Sequence, residues 1–498
     1  MARIPSTSAC PHTDTLTEPS PSSEPVVTPM PELRTGARDE CGVFAVYARG
    51  EHVSKLCFYG LYALQHRGQE SAGIAVSDGS HILVSKEMGL VNQAFDESRL
   101  AGLDGHLGIG HVRYSTTGAS TWDNAQPAFK VTPTGAAVAL GHNGNLVSTA
   151  HLVEQLGAAG ERCATDSELL TTLLARDADA SLEEAIVDVA AQLRGAFSVV
   201  VMNESTIYGF RDPHGVRPLV IGRLPRGGYV LASETSALDI VGAHRIRDVE
   251  PGELVAVDEH GLRSRRFADA TPSFCVFEYV YLARPDHNAG ETSVYAARHR
   301  MGEMLAAEAP VEADMVIPVP DSGTAAAAGY AQAAGIPYGE ALVKNRYVGR
   351  TFIEPSQSVR ELGIRLKLNP LRDMIAGRRL IVVDDSIVRG NTSRQLVAML
   401  RQCDAAEVHL RITSPPVRHP CFYGIDMATR AELIASGLSS EEIRDFVGAD
   451  SLAYLSLEAM VSSTGRAKGS LCRACFDGEY PIPVPLLQSG DARVPATP

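Results

Sequence analysis

The sequence predicts a two-part chain: a layered α+β domain over residues 41–270, then a parallel-sheet α/β domain over residues 271–485. Three observations carry that expectation. Strand-like apolar runs after Cys41 bracket two consecutive helical runs, a layered α+β pattern. From about residue 290 strand and helix alternate, as in a parallel sheet with helices on both faces. The flanking segments 1–40 and 486–498 lack such patterning: residues 1–35 are rich in Pro, Ser and Thr and read as a disordered leader, and the end reads as a loose tail.

In order, "CGVFAVYA" reads as a buried strand, and Val53, Leu56, Cys57, Leu61 and Leu64 recur at helical spacing. "GIAVSD", "HILVSKEMG", "LGIGHVRYST" and "AAVALGHNGNL" are further strands parted by Gly and Asp turns. The helices "DSELLTTLLARD" and "LEEAIVDVAAQLRG" follow, then strands near 196–203, 206–211, 218–222 and 228–233. In the second domain "VYAARHRMGEMLAAEAP" is a helix, "ADMVIPVPDSG" a strand into a Gly turn, and "TAAAAGYAQAAG" a helix. "GRRLIVVDDSIVRGNTSRQLVAMLRQC" gives strand, polar loop and helix, and "EVHLRIT" the strand that follows.

With 498 residues and 45% hydrophobic content the chain can bury a large core. No apolar stretch reaches the roughly 18 residues a membrane span needs. The net charge of −14 argues against broad nucleic-acid binding. Nine cysteines in this length are not a secreted disulfide framework, and the N-terminus has no apolar signal core, so the expected location is the cytoplasm.

"LIVVDDSIVRGNTS", 380–393, is the strongest local signal. Four apolar residues end at Asp384–Asp385, and a Gly-containing loop opens a helix at Thr392. Free N–H groups at a helix start bind anions, and adjacent carboxylates accept hydrogen bonds from sugar hydroxyls and hold Mg2+ indirectly. Together they suit a ribose 5-phosphate. The string resembles the fingerprint of the type I phosphoribosyltransferases, and "VIPVPDSG", 316–323, resembles that fold's pyrophosphate loop. The polar stretch 344–360, with Lys344, Arg346, Arg350 and Arg360, is a candidate lid over the diphosphate.

Cys41 stands after an acidic pair at the head of a strand. As the first residue of a processed chain, its α-amino group, with a reference pKa of about 7.7–8.0, would activate its thiol directly or through water. "CGVFAVY", "LYALQHRGQESAGIAV", "GHVRYSTTG", "GHNGNLVS" and "TDSELL" resemble the class II glutamine amidotransferases, whose fold is that of the N-terminal-nucleophile hydrolases. With the phosphoribosyltransferase fingerprint, the resemblance over roughly residues 39–480 is to the glutamine phosphoribosylpyrophosphate amidotransferase family. It implies an N-terminal-nucleophile layered sandwich joined to a type I phosphoribosyltransferase domain.

The resemblance further implies that Cys41 is the nucleophile and that Asn143 and Gly144 form the oxyanion hole. Arg113 would bind the glutamine α-carboxylate and Asp166 its α-ammonium. Lys344, Asp384, Asp385, Ser386, Arg389, Gly390, Asn391 and Thr392 would bind phosphoribosyl pyrophosphate, with Mg2+ near Ser322, Asp384 and Asp385. Asn391 departs from the second Thr of many relatives, though a short polar side chain still suits the loop. The leader would be removed by self-cleavage; it is longer than usual in processed members, and the start, Met1 or Met30, stays open. The implied reaction makes 5-phosphoribosylamine, glutamate and diphosphate, the first committed step of purine synthesis, in a homotetramer inhibited by purine nucleotides.

"SLCRACFDGEYP" carries Cys472 and Cys475 in a CxxC, which alone is open to zinc, redox or accidental readings. Cys275 and Cys421 match positions of the iron–sulfur subgroup of the family, so the resemblance implies a [4Fe–4S] cluster on Cys275, Cys421, Cys472 and Cys475, with zinc the main alternative. Cys10, Cys57, Cys163 and Cys403 read as leader, core or partly buried thiols. Two rivals remain. A non-catalytic purine-sensing regulator of the phosphoribosyltransferase fold leaves the amidotransferase strings unexplained. Another class II amidotransferase, such as a glucosamine-phosphate or asparagine synthetase, leaves "VVDDSIVRGNTS" unexplained.

Overall fold

A computed structural model describes residues 41–114, 120–177, 181–345, 367–427 and 429–485. The expected leader with Cys10, most of the expected lid with Arg346, Arg350 and Arg360, and the expected tail lie outside the described residues.

The first half is built from β1 (Gly42–Tyr47), β2 (Ser71–Ser77), β3 (Ile82–Met88), β4 (Leu107–Arg113), β5 (Ala128–Val131), β6 (Ala137–Ser148) and β7 (Arg194–Met202). It is completed by β8 (Ile207–Arg211), β9 (Val220–Arg223), β10 (Tyr229–Ala232), β11 (His244–Asp248), β12 (Glu253–Asp258) and β13 (Gly261–Arg266). They form two antiparallel sheets, ordered β11-β9-β10-β1-β4-β2-β3 and β13-β12-β8-β7-β6-β5.

Period-two alternation sets the layers. Val43 and Ala45 of β1 point between the sheets and meet Ile109, Ala139, Val200 and Val255. Phe44 and Val46 point outward and pack under Leu61 and Val53 of the helix Val53–Ala63. In β7 the same rule sends Val200 inward, while Phe197 and Val199 pack against Leu170 and Ile186 of the helices Asp166–Asp177 and Leu182–Ala190. The result is helix, sheet, sheet, helix. Each such Val or Leu gains about 1.5–3 kcal/mol by burial.

Beyond the strands expected from the sequence, the sandwich contains β5, β11, β12 and β13. The edge strands β11 (HRIRD) and β13 (GLRSRR) carry Arg rather than alternating apolar residues, a common way to blunt a sheet edge.

In the second half, strands Met315–Pro318, Arg379–Asp384, Glu407–Ile412 and Ser451–Tyr454 form a parallel sheet in that order. Ile381 and Val383 face the helices Val294–Glu308 and Thr324–Ala334, whereas Leu380 and Val382 face the helix Asn391–Gln402. Both faces are therefore covered, which explains the continuous apolar run "LIVV". Apolar packing runs on across the junction: Ala196 and Val216 share a core with Val276, Phe277 and Ile381. Among the described residues no helix is long and apolar enough to cross a membrane.

Candidate active sites

The first site forms where β1 begins and β4 ends. Pairing of Gly42 with Val112 sets Cys41 beside Arg113–Tyr114, and the buried Cys41 thiol donates to the Tyr114 carbonyl at 3.4 Å. Arg113 is buried, with Nη1 3.9 Å from Glu70 Oε2. Across the sandwich, His111 Nε2 lies 3.0 Å from the His142 carbonyl of β6, tying the two sheets at this end.

Asn143 follows. It is fully buried, and neither atom of its side-chain amide has a hydrogen-bond partner among the described residues. Leaving a buried polar group unpaired costs about 1–3 kcal/mol, so such an amide is suited to a ligand that completes it. Gly144 has φ +144°, and a β carbon there would lie 2.0 Å from the Ala196 carbonyl oxygen, so only glycine fits. Asp166 opens its helix, and its carboxylate accepts from the N–H groups of Leu146 at 3.2 Å and Ser167 at 2.8 Å.

The segment after Cys421 walls this site from the second half. Asn145 Nδ2 donates to the Phe422 carbonyl at 3.0 Å, and Tyr114 Oη to Asp426 at 3.4 Å. Gly424 lies against Gly144, where an added β carbon would be 3.3 Å from the Gly144 Cα. None of these wall residues was found from the sequence. Tyr114 and Asp426 are 312 positions apart, and no local pattern encodes their meeting.

The second site is a cavity of about 250 Å³ at the carboxyl end of strand Arg379–Asp384. Seven of its lining residues, Asp384, Asp385, Ser386, Arg389, Gly390, Asn391 and Thr392, were expected from the sequence, as was Ser322. Gly390, at φ +76°, caps the helix Asn391–Gln402, which starts one residue earlier than expected. Burial, and then the charge of Asp385, pushes the Asp384 carboxyl well above the carboxylate range. A cation or a hydroxyl-rich ligand would offset that repulsion. Arg389 is paired with Glu432. Lys344 does not line the cavity; its Nζ is 2.5 Å from Asp321, next to Ser322. Tyr281 and Lys367 line it without having been foreseen.

The four expected cluster cysteines converge at the junction. The short strands Phe274–Cys275 and Leu471–Cys472 pair in parallel with Cys275 opposite Cys472, and Cys475 follows on the next turn. The Tyr423 N–H donates to Cys421 Sγ at 3.4 Å. Burial pushes the Cys472 thiol up to about 12. Burial, then Cys275, Cys472 and Cys421 in that order, raises the Cys475 thiol. Cys275, Cys472 and Cys421 thus all act on the Cys475 thiol, and a bound metal would favour the thiolates instead. Among the described residues no group of three or more His, Cys, Asp or Glu side chains is arranged to hold a single metal ion. Of the other thiols, Cys57 and Cys403 are buried and Cys163 is half-buried, as expected of core or partly buried groups.

A family model described as a glutamine amidotransferase domain matches residues 111–240. Fold and sites together define a glutamine-dependent transferase, an N-terminal-nucleophile sandwich joined to a phosphoribosyltransferase-like sheet. The chain is 58% identical to the amidophosphoribosyltransferase of Mycobacterium tuberculosis (strain ATCC 25618 / H37Rv), over 95% of this chain and 92% of that one. It is 46% identical to that of Bacillus subtilis (strain 168), over 90% and 95%. The solved glutamine phosphoribosylpyrophosphate amidotransferase from B. subtilis, complexed with ADP and GMP, superposes with a TM-score of 0.83 at 45% identity, covering 89% of this chain and 98% of that one. The chain belongs to the amidophosphoribosyltransferase family, enzymes that move ammonia from glutamine to phosphoribosyl pyrophosphate in purine biosynthesis.

Proposed function

We propose that this chain carries out the family reaction with Cys41 as nucleophile and the Asp384–Thr392 loop as the phosphoribosyl site. The observation that carries the reading is Asn143: a fully buried amide with no partner among the described residues, next in sequence to Gly144 and on the strand that meets Cys41's sheet. Arg113 pairs with the glutamine α-carboxylate and Asp166 with its α-ammonium. The Cys41 thiolate adds to the amide carbon, and the Asn143 amide and Gly144 N–H stabilise the oxyanion. Collapse expels ammonia, the Cys41 α-amine handling the proton, and water hydrolyses the glutamyl thioester to glutamate. Ammonia then displaces diphosphate at C1 of the phosphoribosyl group.

In the second site, Asp384 and Asp385 hold the ribose hydroxyls, while Ser386, Arg389, Gly390, Asn391 and Thr392 hold the 5-phosphate at the helix start. Lys344 serves the diphosphate after leaving Asp321. Ser322, Asp384 and Asp385 would stand near Mg2+, which neutralises diphosphate charge. Cys275, Cys421, Cys472 and Cys475 would hold a structural [4Fe–4S] cluster; the pairing of Cys275 with Cys472, the burial of Cys275, Cys472 and Cys475, and the Tyr423 N–H on Cys421 Sγ support the donor set. Residues 1–40 act as a leader whose removal frees the Cys41 amine, and purine nucleotides inhibit a cytoplasmic homotetramer.

The test is mass spectrometry of protein purified without oxygen, read under denaturing and native conditions. A chain starting at Cys41 with added iron and sulfide mass, glutamine-dependent activity and loss of that activity in Cys41→Ala is the expected result. A chain keeping its leader yet fully active with glutamine would overturn the nucleophile assignment. Zinc mass in place of iron would overturn the cluster.

A further inference from the structure

Between Asn143 and Asp166 lies a set of buried polar side chains that the reaction above leaves unused. His142 and Ser167 are 2% and 3% exposed, and Gln126 is 6% exposed. Their hydrogen bonds can be assigned one after another. The His142 backbone N–H can only donate, so the Gln126 side-chain oxygen, 2.8 Å away, must face it. Gln126 Nε2 then faces Ser167 Oγ at 3.1 Å and donates to it. The Ser167 hydroxyl proton is thereby directed elsewhere, and the strongest acceptor within reach is Asp166 Oδ1 at 3.3 Å. That leaves the second lone pair of Ser167 Oγ for His142 Nδ1, 3.3 Å away, which fixes the proton on Nδ1.

The same ring nitrogen lies 3.6 Å from Asp166 Oδ2, too far for a hydrogen bond. His142 Nε2 is buried without a partner among the described residues. The ring is therefore anchored through Nδ1 alone.

We propose that Gln126, His142 and Ser167 form a positioning relay that holds the Asp166 carboxylate in the orientation needed to receive the α-ammonium group of glutamine. The inference rests on the role given to Asp166 above. Without the relay, Oδ1 keeps only the adjacent Ser167 N–H and Oδ2 the Leu146 N–H, and the carboxylate swings between rotamers. Because the α-ammonium is bound in ground state and transition state alike, its loosening raises KM rather than lowering kcat. His142 and Ser167 are thus positioning residues. They act through Asp166.

The experiment is steady-state kinetics of the full-length processed enzyme with glutamine, and with ammonia as donor to bypass the first site. Loss of a charge-assisted hydrogen bond predicts a rise of about tenfold in the glutamine KM for both His142→Leu and Ser167→Ala, with kcat at saturation within about twofold. His142→Asn places an amide N–H near the Nδ1 position and should restore the wild-type KM. A glutamine KM unchanged in His142→Leu, a loss in kcat alone, or an equal defect in His142→Asn would each overturn the relay. If His142→Leu also loses ammonia-dependent synthesis it has misfolded, and Ser167→Ala decides: an unchanged KM there overturns the relay. Asp166→Asn separates the two layers of the argument. A raised KM in that variant with normal His142→Leu and Ser167→Ala sinks the relay only. A normal KM in Asp166→Asn sinks the role of Asp166 and the relay with it.

Discussion

Asn143 and His111 are neighbours in space with opposite duties. Asn143 spends stability on being unpartnered, and that is useful only when charge develops beside it. Replacing it by Ala should lower glutamine-dependent kcat by about 100- to 1,000-fold, the usual loss for one oxyanion donor, while ammonia-dependent synthesis persists. Comparable activity with glutamine would remove it from the oxyanion hole. His111 is a stability element. Burial pushes its pKa down to about 3. The unfolded chain, with a His pKa near about 6.5, binds the proton first, so acid favours unfolding. The contribution is complete above that unfolded value and drains away as pH falls toward 3. Between about pH 7.5 and about pH 5.5 this one group removes about 1.4 kcal/mol. His111→Gln keeps a donor for the His142 carbonyl without the titration, so its urea midpoint should fall less over that range. Identical pH slopes in the two proteins would rule this out.

At the scale of elements, the Asp384–Thr392 loop was the most legible part of the chain and the segments packed around it the least. A strand ending in two carboxylates, a positive-φ glycine and a helix start are all local chemistry, so "VVDDSIVRGNTS" announced the cavity down to its lining residues. Sheet layering was legible more coarsely, from strand-like runs that bracket two consecutive helices; β1, apolar and buried along its whole length, does not show in sequence which face meets which layer. By contrast Tyr281, Lys367 and the 422–426 wall reach their sites through tertiary packing. Lys344, expected at the same site, pairs with Asp321 beside Ser322 and does not line the cavity. The loop yields its own prediction. A β carbon on Gly390 would lie 2.8 Å from Ile434 Cδ1 and 3.1 Å from Phe446 Cε1, at a φ of +76° that side chains resist. Gly390→Ala should therefore raise the KM for phosphoribosyl pyrophosphate about tenfold or more with either nitrogen donor. A defect confined to glutamine-dependent turnover would place the loop elsewhere in the mechanism.

Over the whole molecule, the two halves are joined by a shared apolar core and, within it, by a buried ionic network. Arg67 of the first half, 1% exposed, places Nε 2.5 Å from Glu234 and Nη2 2.6 Å from Glu278, which lies just beyond Cys275. Arg217 adds a contact to Glu278 at 3.5 Å and donates to the Tyr423 carbonyl at 3.0 Å. Burial opposes the charge on Glu278, but Arg67 and then Arg217 hold its carboxyl below the ordinary range. One carboxylate thus joins the sandwich, the cysteine junction and, through Arg217, the wall of the site at Cys41. Buried ion pairs add little net stability over apolar packing, yet breaking one strands its partner. Glu278→Ala takes a shared carboxylate from two buried guanidinium groups, Arg67 keeping Glu234, and should cost about 3–5 kcal/mol in urea or thermal unfolding. Since the first site is walled by the segment Arg217 grips, glutamine-dependent activity should fall further than ammonia-dependent activity at temperatures where the variant is still folded. Replacing Arg217 by Met in that background removes one of the two buried cations that faced Glu278 and should recover part of the stability, because the two positions share one network. Strict additivity of the two changes would show that Glu278 and Arg217 act separately, and the junction would then be held by its apolar core alone.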